Sequence, residues 1–468
     1  MCGATVQSSP HIGHIRAAVA FDVVRRWFER LGYKVTFVRN VTDIDDKILD
    51  KAAAAGQQWW ERAYIYEREF TEAYSKLGVE PPTYEPRATG HMIDMIDLIK
   101  KIIDNGHAYV VRDADGTPTG NVYFDVASWP HYGELTHQKQ TAVSDAASEV
   151  TDAMGPSVDN AGNDKYNPVD PADMSPDKHD PRDFALWKAP KDSDPLDARW
   201  NTPFGTGRPG WHIECSAMSH RYLKDMFDIH GGGLDLRFPH HENERAQSEC
   251  ACDSTFANYW MHSGMLQIAN AETGETEKMS KSLNNFLLLH EVLEQVRPAA
   301  LRMLMLQSHY RSPLVFGEQR VAEADAALTR IENAVKALDW LLETGTPRGE
   351  AALEPETPAA ALAATLDAAA LTDRVAVLRA GFTEAMDDDF NAPAALGEIF
   401  SFVSDANALV ADAKTLAAEE AAAVREARDA IVELMDVLGI DVTAAEVGEA
   451  YPVEVVALAA DLAGYDGD

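Results

Sequence analysis

The strongest constraint on the fold is a helical apolar stripe that ends at a glycine and runs at once into a β-rich segment. Ala17, Phe21, Val24, Phe28 and Leu31 recur at steps of three and four, Gly32 offers a stop, and Lys34-Val35-Thr36-Phe37-Val38-Arg39 follows. That spacing predicts an amphipathic helix, and the residues after it favour a strand. Loop, helix, short turn and strand in this order imply a βαβ unit, and hence a parallel sheet with both faces covered. The strand before the helix has to end near Cys2. Residues 52–105 read as further helices, and Val122-Tyr123-Phe124-Asp125 as a strand. Regular α/β patterning returns at Phe204. Gly210 opens a helical stretch, Met226-Phe227-Asp228-Ile229-His230 reads as a strand, and Gly231-Gly232-Gly233 reads as its tight exit. The sheet is therefore expected to be split by an inserted domain. After Phe286 the pattern is helical, with long Ala, Glu and Leu runs at 318–344, 358–386, 393–411 and 417–439. No repeat period interrupts it.

Composition bounds the function. A chain of 468 residues is too long for one ordinary core and suggests about three units. No apolar run is long enough to span a bilayer, and the N-terminus lacks the basic start and apolar stretch of a secretory signal. A cytoplasmic protein is expected. The four cysteines, Cys2, Cys215, Cys250 and Cys252, are widely scattered, which favours free thiols or metal ligands over a disulfide framework. A formal charge of -35 argues against a nucleic-acid partner, because binding phosphate requires Lys and Arg to displace counterions. Much of the acid is local, however. Residues 141–180 carry Asp145, Glu149, Asp152, Asp159, Asp164, Asp170, Asp173, Asp177 and Asp180 against Lys165 and Lys178, which reads as a solvated insertion. On that reading an RNA would approach another face, where Arg297, Arg302, Arg311 and Arg320 supply positive potential.

Two short motifs carry phosphate chemistry. Pro10-His11-Ile12-Gly13-His14 stands at the mouth of the first helix, where free backbone amides and the helix dipole favour an anion. Its imidazoles can donate hydrogen bonds to charge growing on a phosphate, and Gly13 leaves room for a nucleotide against the backbone. Ordinary helix-start histidines explain the same four residues equally well. Glu277-Lys278-Met279-Ser280-Lys281-Ser282 offers two flexible cations three residues apart, suited to a leaving pyrophosphate. A solvated basic turn is the plainer alternative. Taken together, H-I-G-H near the N-terminus and K-M-S-K-S before a helical region resemble the paired signatures of class I aminoacyl-tRNA synthetases. The resemblance implies an α/β fold: a Rossmann-like parallel-sheet catalytic domain split by a connective insertion, followed by an α-helical C-terminal domain. It also implies ATP held by both motifs.

A third constellation concerns metal. In His240-His241-Glu242-Asn243-Glu244, His240 and Glu244 fall one turn apart on a helix face and can grip one ion. His241 faces Glu244 at i, i+3, so spacing leaves both histidines open. The segments C-G-x-T at Cys2, G-W-H-I-E-C-S ending in Cys215 and Ser216, and F-P-H-H-E-N-E resemble those of the cysteinyl-tRNA synthetases. That family implies one Zn2+ per chain on Cys2, Cys215, His240 and Glu244. It implies Thr42 and Trp211 in the amino-acid pocket, Gly233 and Asp235 at the ATP ribose, and His11, Gly13, His14 and Lys281 on ATP. His11, His14, Lys278 and Lys281 would stabilise the transition state, with Mg2+ accompanying ATP. Residues 39–47, 182–188 and Asp387-Asp388-Asp389-Phe390-Asn391-Ala392-Pro393 also read as family text. Cys250 and Cys252 match no ligand position and read as structural.

The implied layout places the first half of the catalytic domain at 1–115 and the connective region at 116–205, with the acidic insertion at 141–180. The second half follows at 206–285, a stem-contact linker at 286–330, and a helical tRNA- and anticodon-binding domain at 331–468, shorter than the family's. The expected activity is ATP-dependent ligation of L-cysteine to tRNA(Cys), without a membrane partner. A related ligase with an amino-sugar acceptor and a non-catalytic zinc- or RNA-binding relative are the alternatives.

Overall fold

The computed structural model describes residues 1–137, 175–269, 276–278, 287–347 and 366–443. Most of the acidic stretch 141–180, Lys281 and most of the K-M-S-K-S segment lie outside the described residues; of Lys278, the backbone alone is described. The chain runs through α1 (Ile12–Arg30), α2 (Asp46–Ala54), α3 (Trp59–Lys76) and α4 (Met92–Asp104). Five strands follow: β1 (Ala108–Arg112), β2 (Pro118–Phe124), β3 (Phe184–Lys188), β4 (Trp200–Thr202) and β5 (Gly205–Pro209). Next come α5 (Trp211–Leu223), β6 (Phe227–Gly233), α6 (Glu242–Cys252), β7 (Ala257–Ser263), β8 (Leu266–Ala269) and β9 (Thr276–Lys278). The last part holds α7 (Leu289–Leu293), α8 (Pro298–Leu306), β10 (Leu314–Phe316), α9 (Glu318–Thr344), β11 (Thr346–Pro347), α10 (Ala368–Asp387), α11 (Ala392–Val410), β12 (Thr415–Leu416) and α12 (Ala418–Val437). These elements form two compact units.

The first unit comprises Met1–Ser9, Thr36–Phe70 and Pro82–His262. Its parallel sheet is built from short bridges: Thr5 pairs with Thr42, Val38 with Tyr84, and Val41 with Arg87, all parallel. The strand expected at 34–39 thus sits later, because residues 31–34 are exposed and burial begins at Val38. Cys2 N–H donates to the Gly231 carbonyl at 2.9 Å, which lays the N-terminal segment against β6. Between the parallel segments and α5 the chain makes a five-stranded antiparallel sheet in the order β1-β2-β3-β5-β4. The core behind it holds Phe124, Phe184, Leu186 and Trp187. The three glycines expected as a tight exit belong to β6 itself, and none takes a positive φ. They serve close approach instead: a Cβ on Gly232 would lie 3.5 Å from the His241 ring.

The second unit comprises Pro10–Val35, Thr71–Pro81 and Ser263–Asp468. Here β8 pairs in parallel with β10 and antiparallel with β9. Its helices pack as α8 on α9, α10 on α11, and α12 on both α9 and α10. Along α9, Val321, Ala324, Leu328, Ile331, Val335, Leu338 and Leu341 are buried at steps of three and four. Each of its larger aliphatic side chains contributes roughly 1.5–3 kcal/mol by leaving water.

The arginines expected to meet RNA fare differently. Arg302 is 1% exposed. Its Nη2 reaches Asp22 Oδ2 at 2.5 Å, Nε donates to Leu438 O at 2.8 Å, and Nη1 to Leu77 O at 2.9 Å. Gly439, at φ +70, passes so close that a Cβ there would overlap the guanidinium. Arg302 is therefore a core residue and does not meet phosphate, since α8 is otherwise apolar and buries its whole circumference. Arg297 pairs with Asp325 and Glu332, and Arg311 with Asp389. Arg320 is exposed.

Candidate functional site

Four separate segments of the first unit deliver ligand-type side chains to one dry point. Cys2 arrives on the N-terminal segment, fixed by its bond to β6 and by Gly3 N–H donating to Asn40 Oδ1 at 2.7 Å. Cys215 projects from the first half of α5, which Gly210 opens without a side-chain cap. His230 lies on β6. Pro239, His240 and His241 form an irregular turn with Phe238 extended (φ -135°, ψ 136°), and Glu244 follows in the first turn of α6. All six of Cys2, Cys215, His230, His240, His241 and Glu244 are buried.

Glu244 Oε2 is the hub. It lies 3.0 Å from His230 Nε2, 3.4 Å from His240 Nε2, 4.0 Å from His241 Nε2 and 3.4 Å from Cys2 Sγ. Two sets each place their ligand atoms within 4.8 Å of one another, Cys2–Cys215–His240–Glu244 and Cys2–His230–His241–Glu244. The structure thus brings together the four residues picked out in the sequence and adds His230, which sequence reasoning had treated only as a strand residue. A histidine just before three glycines was the available signal.

The surroundings aim the imidazoles. His240 Nδ1 lies 3.1 Å from His212 Nδ1, and His241 Nδ1 lies 2.8 Å from His262 Nε2. Both arrangements leave Nε2 facing Glu244, as an outer partner does for a metal-ligating histidine. The Trp211 ring packs on His240 with centroids 4.4 Å apart. Burial pushes His212 well below the ordinary histidine range and His241 down to about 4. His230 feels the same burial, but Glu244 and Cys2 outweigh it and hold it up at about 9. Cys2 is held low despite burial by Cys215 and the three histidines around it, while Cys215 is pushed up by the neighbouring Cys2 and by burial.

Glu244 Oε1 and His241 Nε2 are buried with no hydrogen-bond partner among the described residues. Leaving such atoms unpaired costs about 1–3 kcal/mol each. Thiols that can ionise, imidazoles and a carboxylate converging in a buried pocket are the donor set of zinc. The residues fit that ion.

The remaining candidates occupy other places. Thr42, 1% exposed, sits on the parallel bridge with Thr5 and accepts from Asn40 Nδ2 at 3.3 Å, and burial raises the Glu214 carboxyl well above the carboxylate range. Gly233 ends β6, and a Cβ there would overlap Asp235 Oδ1, so the exposed Asp235 carboxylate lies directly against bare backbone. His11 and His14 belong to the second unit. His11 precedes α1 and bridges Leu288, and its N–H donates to His14 Nδ1 at 3.3 Å. The two rings stack at 3.5 Å, and burial followed by the neighbouring His11 depresses His14 to about 3. Gly13 lies in the first turn of α1.

This architecture is similar to that of solved synthetases. Mycobacterium tuberculosis methionyl-tRNA synthetase in complex with methionyl-adenylate aligns at a TM-score of 0.60 and 16% identity, over 93% of this chain and 88% of that one. The fold is therefore that of a class I aminoacyl-tRNA synthetase. The family model described as the class I (C) tRNA synthetase catalytic domain matches residues 1–326, and the DALR domain matches 381–443. Cysteine-tRNA ligase of Bifidobacterium longum is 61% identical over 443 residues, which cover 94% of this chain and 76% of the relative. That of Paenarthrobacter aurescens is 44% identical over 454 residues, covering 94% and 80%. The chain belongs to the cysteine-tRNA ligase family. No helix among the described residues is long and apolar enough to cross a membrane.

Proposed function

We propose that this chain joins L-cysteine to tRNA(Cys) at the expense of ATP, with its buried thiol, imidazole and carboxylate cluster as the selector of cysteine. The observation that carries the reading is the convergence of Cys2, Cys215, His240 and Glu244 within 4.8 Å in a dry pocket of a class I fold. Those four residues would hold Zn2+, which supplies a soft acceptor for a thiolate and little affinity for the hydroxyl of serine. His212 and His262 orient the imidazoles, and Trp211 and Thr42 wall the amino-acid pocket.

Two displacements complete the reaction. The cysteine carboxylate attacks the α-phosphorus of ATP and pyrophosphate leaves; the terminal ribose hydroxyl of tRNA then attacks the acyl carbon and AMP leaves. His11 and His14 act as hydrogen-bond donors to the phosphates. His14, neutral at pH 7, adds no charge of its own. Gly13 admits the nucleotide against the backbone, and Asp235 beside Gly233 accepts from the ribose hydroxyls. Lys278 and Lys281 supply the cationic charge for pyrophosphate, and Mg2+ accompanies ATP. An interaction formed mainly in the transition state predicts that Lys281→Ala slows adenylate formation far more than it weakens cysteine binding. Neither the ligase with an amino-sugar acceptor nor the non-catalytic relative is favoured, because the helical segment matches the DALR domain and the relatives are ligases of cysteine to tRNA.

The test is cysteine-dependent exchange of pyrophosphate into ATP, followed by charging of tRNA(Cys). Serine should support exchange roughly 10^4-fold less well, the discrimination of a site built for one specific bond. Equal exchange with serine, or none with cysteine, overturns the reading.

A further inference from the structure

A second group of ligand-type side chains stands elsewhere in the first unit, where α5 and α6 both end. His220 lies in the last turn of α5, Asp225 follows just after that helix, and Cys252 is the last residue of α6. His220 Nδ1 is 3.2 Å from Asp225 Oδ1 and 3.9 Å from Cys252 Sγ, and the three ligand atoms all lie within 4.8 Å of one another. Tetrahedral zinc with its usual bond lengths sets nitrogen and oxygen about 3.4 Å apart and nitrogen and sulfur about 3.6 Å apart. The observed spacings are within a few tenths of an ångström of those values.

Hydrogen bonds can join these groups through Asp225, which both His220 and the Cys252 thiol approach. A single ring nitrogen faces both the carboxylate and the thiol, yet it can give or take only one hydrogen bond in the ring plane. The other ring nitrogen, Nε2, is buried without a partner among the described residues, and the ring packs against Phe256 with centroids 5.8 Å apart. A cation at the point where the three atoms converge satisfies all of them. The ends of two helices, of thirteen and eleven residues, add favourable potential for positive charge.

We propose that His220, Asp225 and Cys252 form a second, solvent-facing binding site for a thiophilic divalent cation, with Zn2+ as its preferred ligand. Sulfur and imidazole donors select zinc over magnesium or calcium. Three protein ligands leave one position to water, consistent with an Asp225 side chain that is 65% exposed. Lys101 on α4 opposes positive charge here, so the site binds more weakly than the buried cluster. Binding releases the Cys252 thiol proton to solvent.

Alkylation of Cys252 by iodoacetamide, followed peptide by peptide on the full chain with its buried cluster already loaded, tests the proposal. Added Zn2+ should slow labelling of Cys252 at least about tenfold, because the metal occupies the nucleophilic sulfur, and a chelator should restore the rate. Asp225→Asn and His220→Gln should each require about tenfold more Zn2+ for the same protection. Pyrophosphate exchange at the parental rate checks that the variants fold. Labelling indifferent to Zn2+ overturns the proposal. So does unchanged protection in both variants, which would mean that the thiol meets zinc alone.

Discussion

Arg302 and Glu244 are both charged side chains with 1% exposure or less, and their surroundings treat them in opposite ways. Around Arg302 each nitrogen has a partner: Asp22, the Leu77 carbonyl and the Leu438 carbonyl. Asp22 in turn accepts from Arg26 and from the Glu80 N–H. Around Glu244 one carboxylate oxygen is shared by three imidazoles and a thiol, while the other has no hydrogen-bond partner among the described residues. A buried charge closed off by its own chain is scaffold. A buried cluster that falls short of closing itself is prepared for something the chain does not supply.

The contrast can be broken at either end. Arg302→Met should cost about 3–5 kcal/mol of stability, the usual penalty for stranding one partner of a buried pair, read as a lower denaturation midpoint. Cys215→Ser should instead leave the midpoint of the metal-free protein close to parental, lower zinc content, and cut cysteine-dependent exchange at least about a hundredfold, with ATP binding retained. Unchanged zinc content in that variant would remove the ligand assignment.

Asp46 sharpens the comparison from an intermediate position, with its side chain 27% exposed and paired with Lys188, Lys191 and Arg208. Burial alone would raise its carboxyl, but those cations outweigh it and hold it at about 2. Because this lies below the unfolded value of about 3.9, the stabilisation is complete above about pH 4 and fades as pH falls through 2; Asp46→Asn should cost on the order of 2 kcal/mol at pH 7. A variant with parental acid unfolding would contradict this. Arg311→Gln, which breaks an exposed pair with Asp389, should cost less than about 1 kcal/mol and less still in high salt.

The helices were the most legible part of the fold, because their signal is local. Residues 318–344 were expected as a helix and are one. The parallel core was visible as a class of arrangement but not in its register, since its strands are reduced to bridges such as Val41 with Arg87. The Arg302 error has a physical origin that could have been seen: Pro298–Leu306 is apolar on every side, so a cation within it has no solvent face to occupy. His230 escaped notice because a ligand on a strand has no i, i+4 partner to announce it. For Cys2, Cys215, His240 and Glu244, resemblance supplied the set, and periodicity alone reached only the last two.

Gly3 shows how far a site can reach into residues that perform no chemistry. Its backbone lies against the Asn40 carbonyl so closely that any side chain would overlap the oxygen, while its own N–H holds the Asn40 amide group. In a map of tolerated mutations this position should therefore behave like the cysteine beside it. Alanine there would lever the N-terminal segment off its neighbour, and cells carrying the allele would resemble those that have lost the thiol, with every ligand still encoded.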